Sequence, residues 1–546
     1  MNVDLILTGG RVFGNGVSDA IAISGNRIQS VGDSAGILSQ AGPETRIIHT
    51  GDRMVMPGFQ DAHVHPLAAG LLEMWCDLRP AADTAGYADL IRDYAARHPE
   101  LPWIVGGGWY SAFFPGDEPT AAELDRIVPD RPVYLLGSDL HDAWVNSAAL
   151  SAAGITAGTP DPAGGRIART TGGAPAGTLH EAAADLVARH LPPLDDATVR
   201  QALLTAQRTL HRNGITAWQD ALVGAYLGLP DPLPQYLELA RRGELTGRVT
   251  LALWWDPARG PEQVPELRER RAAADSAGLS AGHVKIMQDG ICENGWAALL
   301  SPYLDRAVTR PGRLSAGELT EAVVALDRAG FAVHFHAVGD RAVRECLDAV
   351  AVARRDPEAR HGRHQIAHVQ LVADADLPRF AELGVTAIVQ PLWAAEIPGM
   401  RERYDKMIGP ERTGRQYPFG SLLRAGAALA AGSDWPVSSP NPLWGAYVAA
   451  TRLPALASAP WLGPGFTGVP FNPGERISGT EILHAYTSGS AQVTHGTAAL
   501  TPGSPADLVV LDRDVVALGD ESLGEAVVDL TIREGACVYD RRGEWT

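Results

Sequence analysis

Two patterns of apolar positions alternate through the middle of this chain. Short runs rich in Val, Ile, Ala and Phe read as buried strands, and the stretches between them repeat apolar residues at helical spacing. Such alternation predicts a parallel βα array. Strands are expected at Gly58 to His65, Ile215 to Asp220, Val249 to Trp255, Val284 to Gln288, Phe331 to His336, Gln365 to Val369, Thr386 to Gln390 and Leu429 to Ser433. Eight is the number that closes a (β/α)8 barrel. The count sets aside residues 67–194, rich in Gly and Pro, with strand-like runs of their own at Trp103 to Gly106 and Pro132 to Leu136. That stretch reads as an insertion after strand one.

The ends of the chain carry a different pattern. Short strand-like runs at Val3 to Leu7, Arg11 to Phe13, Ala20 to Ile23, Arg27 to Val31 and Arg46 to Ile48 are separated by Gly-Gly, Gly-Asn and Gly-Asp turns. Similar runs close the chain at Ala506 to Leu511, Leu530 to Arg533 and Ala536 to Tyr539. Neither end is long enough for a good sandwich alone. The expected organisation is therefore an α/β chain: a TIM-type barrel (57–66 and 195–487), a composite β-sandwich domain made by both ends (1–56 and 488–546), and an inserted substrate-pocket subdomain (67–194).

Barrel chemistry collects at the carboxyl ends of the strands. Strand one ends in His63-Val64-His65, two imidazoles on one face because side chains alternate along a strand. Strand four carries Lys285, strand five ends at His336, strand six carries His368, and strand eight runs into Asp434. His334 shares the face of His336 but lies deeper, as a supporting or packing residue. Convergence of imidazoles and a carboxylate on one mouth is what a divalent metal requires.

Composition narrows the reading. The chain has 546 residues, 45% of them hydrophobic and 20% charged, as in an ordinary globular protein. A net charge of −18 argues against nucleic acid, which is bound through Lys and Arg. No run of about 18 apolar residues suggests a membrane span, and the opening residues Met1 to Leu7 read as a strand rather than a leader. Four scattered cysteines, Cys76, Cys292, Cys346 and Cys537, suggest a reducing, cytoplasmic setting. Only two of the 46 basic residues are lysines, Lys285 and Lys406. Lys406 lies in a charged surface-like stretch; Lys285 lies on a barrel strand, where chance pairing with Asp289 is the plain alternative to chemistry that arginine cannot perform.

These motifs together resemble the amidohydrolase superfamily, in the amidohydrolase 3 branch that includes N-substituted formamide deformylases. The resemblance runs through Asp4 to Val12, Pro57 to His65, Trp144 to Leu150, Lys285 to Gly290, His336 to Asp340, Gly432 to Pro436 and Ala506 to Asp512. It implies that His63 and His65 bind one metal and His336 and His368 a second, that Lys285 bridges them as its carbamate, and that Asp434 ligates the first metal and handles protons. It further implies one or two ions per chain, of zinc type, hydrolysis of a non-peptide C–N bond in a small molecule, and a homodimer.

A metal ion would supply hydroxide at neutral pH by lowering the pKa of bound water from 15.7 toward about 7. Specificity is expected from loops and the insertion, with Trp109, His141, Asn146 and Trp296 as substrate-binding candidates and Trp144, Tyr303 and Trp393 nearby. Related sequences read Asp-Gly-His where this chain has Asp139-Leu140-His141, so the turn before His141 is in question. Two other readings stay open: a mononuclear deaminase of the same superfamily, which does not need Lys285, and a metal-stabilised binding or regulatory protein without turnover, which does not need Asp434 as a base.

Overall fold

The computed structural model describes residues 3–545 apart from 15, 17, 227, 307, 464 and 497. Its central sheet has eight parallel strands in chain order: β1 (Phe59–Val64), β2 (Ile215–Val223), β3 (Arg248–Trp254), β4 (Ser280–Met287), β5 (Ala332–Ala337), β6 (Gln365–His368), β7 (Thr386–Val389) and β8 (Leu429–Ala431). The circuit closes just beyond β8, where Asp434 N donates to His63 O at 2.8 Å and His65 N donates to Trp435 O at 2.9 Å. Gly432 permits this approach, because a Cβ there would stand 2.7 Å from the backbone nitrogen of His63. Asp61 stitches the same seam: one oxygen accepts from the N–H groups of His63 and Ser433 at 3.0 Å each, the other from the Ser433 hydroxyl at 2.6 Å.

The outer helices form where caps and periodicity agree. Asp195 accepts from Thr198 N at 2.7 Å to start the helix Asp196–Arg212, which buries Val199, Ala202, Leu203, Ala206 and Leu210 on one stripe. A capping box of Ser315 and Glu318 starts Ala316–Arg328, which buries Leu319, Ala322, Val323 and Leu326. The helix Pro66–Met74 begins directly after His65 and presses against Asp196–Arg212 so closely that a Cβ on Gly70 would meet Ala202 O.

The two strand-like runs set aside in the sequence count lie outside the barrel. They belong to a six-stranded sheet of the insertion, ordered Gly165–Arg169, Pro175–Glu181, Asp142–Val145, Val133–Gly137, Ile104–Trp109 and Cys76–Asp77. The chain ends do combine. Leu508–Leu511 pairs antiparallel with Met54–Pro57, Val509 opposite Met56, within a five-stranded sheet. A four-stranded sheet from residues 5–49 faces it, and Leu5, Leu7, Ile21, Ile23, Val510 and Ile532 fill the space between. Among the described residues no helix is long and apolar enough to cross a membrane, and the four cysteines are unpaired.

Candidate metal centre

The barrel brings His63, His65, Lys285, His336, His368 and Asp434 onto the wall of one cavity at the carboxyl ends of its strands. One donor atom each of His63, His368 and Asp434 lies within 4.8 Å of the others. Asp434 Oδ1 stands 3.2 Å from His63 Nε2 and 3.1 Å from His65 Nε2. The His336 and His368 ring centres are 4.4 Å apart, and those of His63 and His368 4.8 Å. His63 Nε2, His368 Nε2 and Asp434 Oδ1 are buried with no hydrogen-bond partner. An unsatisfied buried polar atom costs about 1–3 kcal/mol, so three meeting at one place fit a cation that would satisfy them together.

The far nitrogens of His63, His336 and His368 are tied down. His63 Nδ1 lies 2.8 Å from His334 Nε2, His334 Nδ1 lies 2.8 Å from Gln365 Oε1, and Gln365 Nε2 reaches His283 Nε2 at 2.7 Å. The His334 ring is thus held between His63 at its Nε2 and Gln365 at its Nδ1. Gln219 packs its amide against the same His334 nitrogen at 2.6 Å. His336 Nδ1 donates to Asp289 at 3.2 Å and His368 Nδ1 to Gln390 Oε1 at 3.1 Å. All three rings thus turn Nε2 inward, the arrangement by which outer partners orient metal ligands.

Electrostatics favours the ligating forms. Burial, then the charge of Lys285, pushes His63 and His336 well below the usual imidazole range. Burial and the neighbouring His336 do the same to His368. Burial alone would raise Asp434, but His65, His368 and Lys285 hold it below its ordinary value, and it stays anionic. Burial pushes the Lys285 ammonium down to about 8 against the pull of Asp434 and Asp220. Asp289 does not pair with Lys285. Its carboxylate accepts from Val338 N, Gly339 N and Ala298 N at 2.8–3.0 Å and serves His336 instead. His368 and Asp434 hold positive φ of 79° and 55°, a strain of about 1–3 kcal/mol each that residues at functional sites carry.

The expected substrate contacts divide. His141 and Trp393 line the cavity, Trp393 stacked on His368 with ring centres 5.3 Å apart. Trp109, Trp144 and Asn146 lie in the core of the insertion, off the cavity wall. The two indole N–H groups are spent on Leu135 O and Thr120 O. Asn146 accepts from Val133 N and Ala149 N and donates to Arg131 O, so its amide holds the insertion together. Trp296 lies under the guanidinium of Arg310 at 4.1 Å, and Tyr303 is buried with its hydroxyl on Ala297 O; neither reaches the wall. Leu140 makes the turn before His141 by adopting φ 62°, and the residue lines the cavity.

The sequence reading missed Asp220 and Leu222 on β2 and Tyr226, Pro230 and Pro232 on the segment after it, all of which line the wall. Asp220 had a signal, as a carboxylate at a strand end; it accepts from Tyr236 OH at 2.8 Å, and burial raises its pKa to about 6. The other four had none: Leu222 lies past the expected end of its strand, and the rest are loop residues, which follow no period. With Leu67, Leu136, Leu140, Ile291 and Val437 they line a largely apolar cavity of about 110 Å³, concave as sites for small molecules are.

Comparisons with known proteins agree. A model of the amidohydrolase family matches residues 46–539. The protein LONG AFTER FAR-RED 3 of Arabidopsis thaliana is 32% identical, over 94% of this chain and 87% of its own. An N-substituted formamide deformylase of Arthrobacter pascens is 27% identical, over 97% and 96%. An uncharacterised metal-dependent hydrolase of Pyrococcus furiosus superposes with a TM-score of 0.69 at 26% identity, covering 93% of this chain and 99% of that one. A barrel closed between β8 and β1, donor atoms gathered at its mouth and a match across nearly the whole length place this chain in the amidohydrolase family, in its amidohydrolase 3 branch.

Proposed function

We infer that the chain hydrolyses a non-peptide C–N bond, of an amide, formamide or related compound, at a centre of two divalent, zinc-type ions. The observation that carries this reading is the gathering of His63, His65, Lys285, His336, His368 and Asp434, more donors than one ion needs, on one cavity wall. His63, His65 and Asp434 would hold one ion and His336 and His368 the other, with the carbamate of Lys285 between them. Ions bound there supply Lewis acidity and a hydroxide nucleophile at neutral pH. The pKa of Lys285, near 8, leaves a fraction as the free amine, the form that captures carbon dioxide.

The chain's own groups do the rest. Asp434, anionic and fixed between His63 and His65, accepts the proton of the attacking water and returns it to the departing amine. Water adds across the C–N bond, its oxygen to carbon and its proton to nitrogen. The apolar walls exclude bulk water and favour a lipophilic group beside the scissile bond. The similarity to a formamide deformylase supports this substrate class.

A mononuclear centre, as in a deaminase, is the second reading, favoured by the tight triad of His63, His368 and Asp434. A screen of metal-reconstituted protein over formamides, other amides, lactams, carbamates and esters tests the first. Turnover of an amide, reduced roughly 10²–10⁴-fold in Asp434→Asn, is the expected result. No turnover by fully metallated protein, or an Asp434→Asn variant as active as the parent, would sink it.

A further inference from the structure

We propose that Arg270 is a positioning residue: its guanidinium fastens both ends of the connection that leaves β2, and so holds Tyr226, Leu229 and Pro230 as the wall that meets the substrate's apolar substituent. The proposal rests on the hydrolase reading above and names what sorts substrates at that site. The connection leads from β2 to the helix Leu233–Arg241. Arg270 stands half-buried on a neighbouring helix, Val264–Ser276. Its two terminal nitrogens donate to the two oxygens of Asp231 at 2.6 and 3.0 Å, and one of them also donates to Val223 O at 3.2 Å. Val223 ends β2, and Asp231 accepts from Leu233 N at 3.2 Å where the helix starts. One planar fork therefore closes the excursion at its base, which the point charge of a lysine could not do.

Between those ends the backbone turns back on itself. Tyr226 N donates to Leu229 O at 3.1 Å and Leu229 N to Tyr226 O at 2.9 Å. Gly228 permits so narrow a turn with φ 76°. A Cβ on Gly228 would stand 2.8 Å from that of Ala188, so the tip rests on the insertion. Gly224 lies against Trp254, whose Cβ would be 2.5 Å from one added there. The Tyr226 ring packs on the same indole, with ring centres 5.1 Å apart. The turn is thus braced on its outside by β3 and the insertion, and tied at its base by Arg270.

Its inner side is cavity wall. Leu222, Gly224, Tyr226, Leu229, Pro230 and Pro232 all line the cavity, more than any other stretch of the chain supplies, whereas Arg270 does not reach it. The apolar part of a substrate whose scissile bond lies at the ions has this turn as its largest partner. Apolar burial has no direction of its own, so selectivity needs a wall already fixed in shape. A turn loose at its base would lose conformational freedom each time a ligand settled against it, and the fork of Arg270 removes that cost beforehand.

Calorimetric binding of alkylphosphonates, from methyl to butyl, to zinc-loaded protein tests this without turnover. The shared headgroup meets the ions, and the alkyl chain reports on the wall. Each methylene buried on an apolar surface strengthens binding about three- to fourfold. The parent should therefore bind butylphosphonate at least about tenfold more tightly than methylphosphonate. Arg270→Met should bind methylphosphonate as the parent does and lose most of the gain along the series, with equal metal content. Asp231→Asn, which keeps the shape and weakens the fork, serves where Arg270→Met does not fold, and should lose the gain likewise. A parent that binds none of the series or gains nothing along it, a variant that keeps most of the gain, or one that weakens equally toward every member overturns the proposal. An amide panel without turnover sinks the hydrolase reading alone, and the phosphonate series still decides the role of Arg270.

Discussion

Three imidazoles of the centre, those of His63, His336 and His368, are oriented by what holds their outer nitrogens. His334 determines which nitrogen of His63 faces inward, and Asp289 and Gln390 do the same for His336 and His368. Replacing His334 by Asn should therefore weaken the ion at His63 about 10–100-fold while sparing the ion at His336, the usual cost of removing an outer partner. Competition with a chromogenic chelator measures both; equal loss of the two ions, or of neither, would contradict the assignment. The inward residues were legible because strand parity and strand ends predict them. Their partners were not. Parity put His334 on the right face, but nothing along the chain says that it touches His63, or that Asp289 serves His336 rather than Lys285.

Elements decide whether the cavity keeps its shape. The insertion closes part of the wall, and its sheet is pinned by His180, which lies 2.8 Å from Asp142 and 3.1 Å from Glu118. Burial alone would lower this imidazole, but the two carboxylates raise it to about 9 against the charge of Arg166. A raised pKa means that the charged form stabilises the fold. That contribution is complete below the unfolded value near 6.5 and disappears as pH climbs through about 9. Thermal unfolding between pH 6 and 10 should show this loss in the parent and a flatter profile in His180→Asn; parallel profiles would refute it. The existence of the insertion was readable from two surplus strands. Its internal anchors were not, which is why Trp109 and Asn146 passed for pocket residues until their polar atoms were found committed to the insertion's own backbone.

At the scale of the molecule, barrel and insertion meet around one mouth, and the sandwich feeds the barrel from behind. The sandwich pairs residues from opposite ends of the chain, as Val509 with Met56, and delivers β1 directly from Met54–Pro57. The insertion returns through Glu181 to the segment after β4. The overall plan was legible because eight parallel strands and two β-rich ends leave few topologies. The chamber's walls were not, because they come from loops whose contacts are set only by the closed barrel. The central claim is that Lys285, buried among the donors and off any ion pair with Asp289, joins two ions into one catalytic centre. The direct test is the ion-to-protein ratio of chain reconstituted with zinc and bicarbonate, read beside the intact mass, for the parent and Lys285→Met. The account predicts roughly two ions per chain with the added mass of carbon dioxide on Lys285, and one ion or fewer in the variant. A parent that binds about one ion with Lys285 unmodified, and a variant that binds the same, would contradict it.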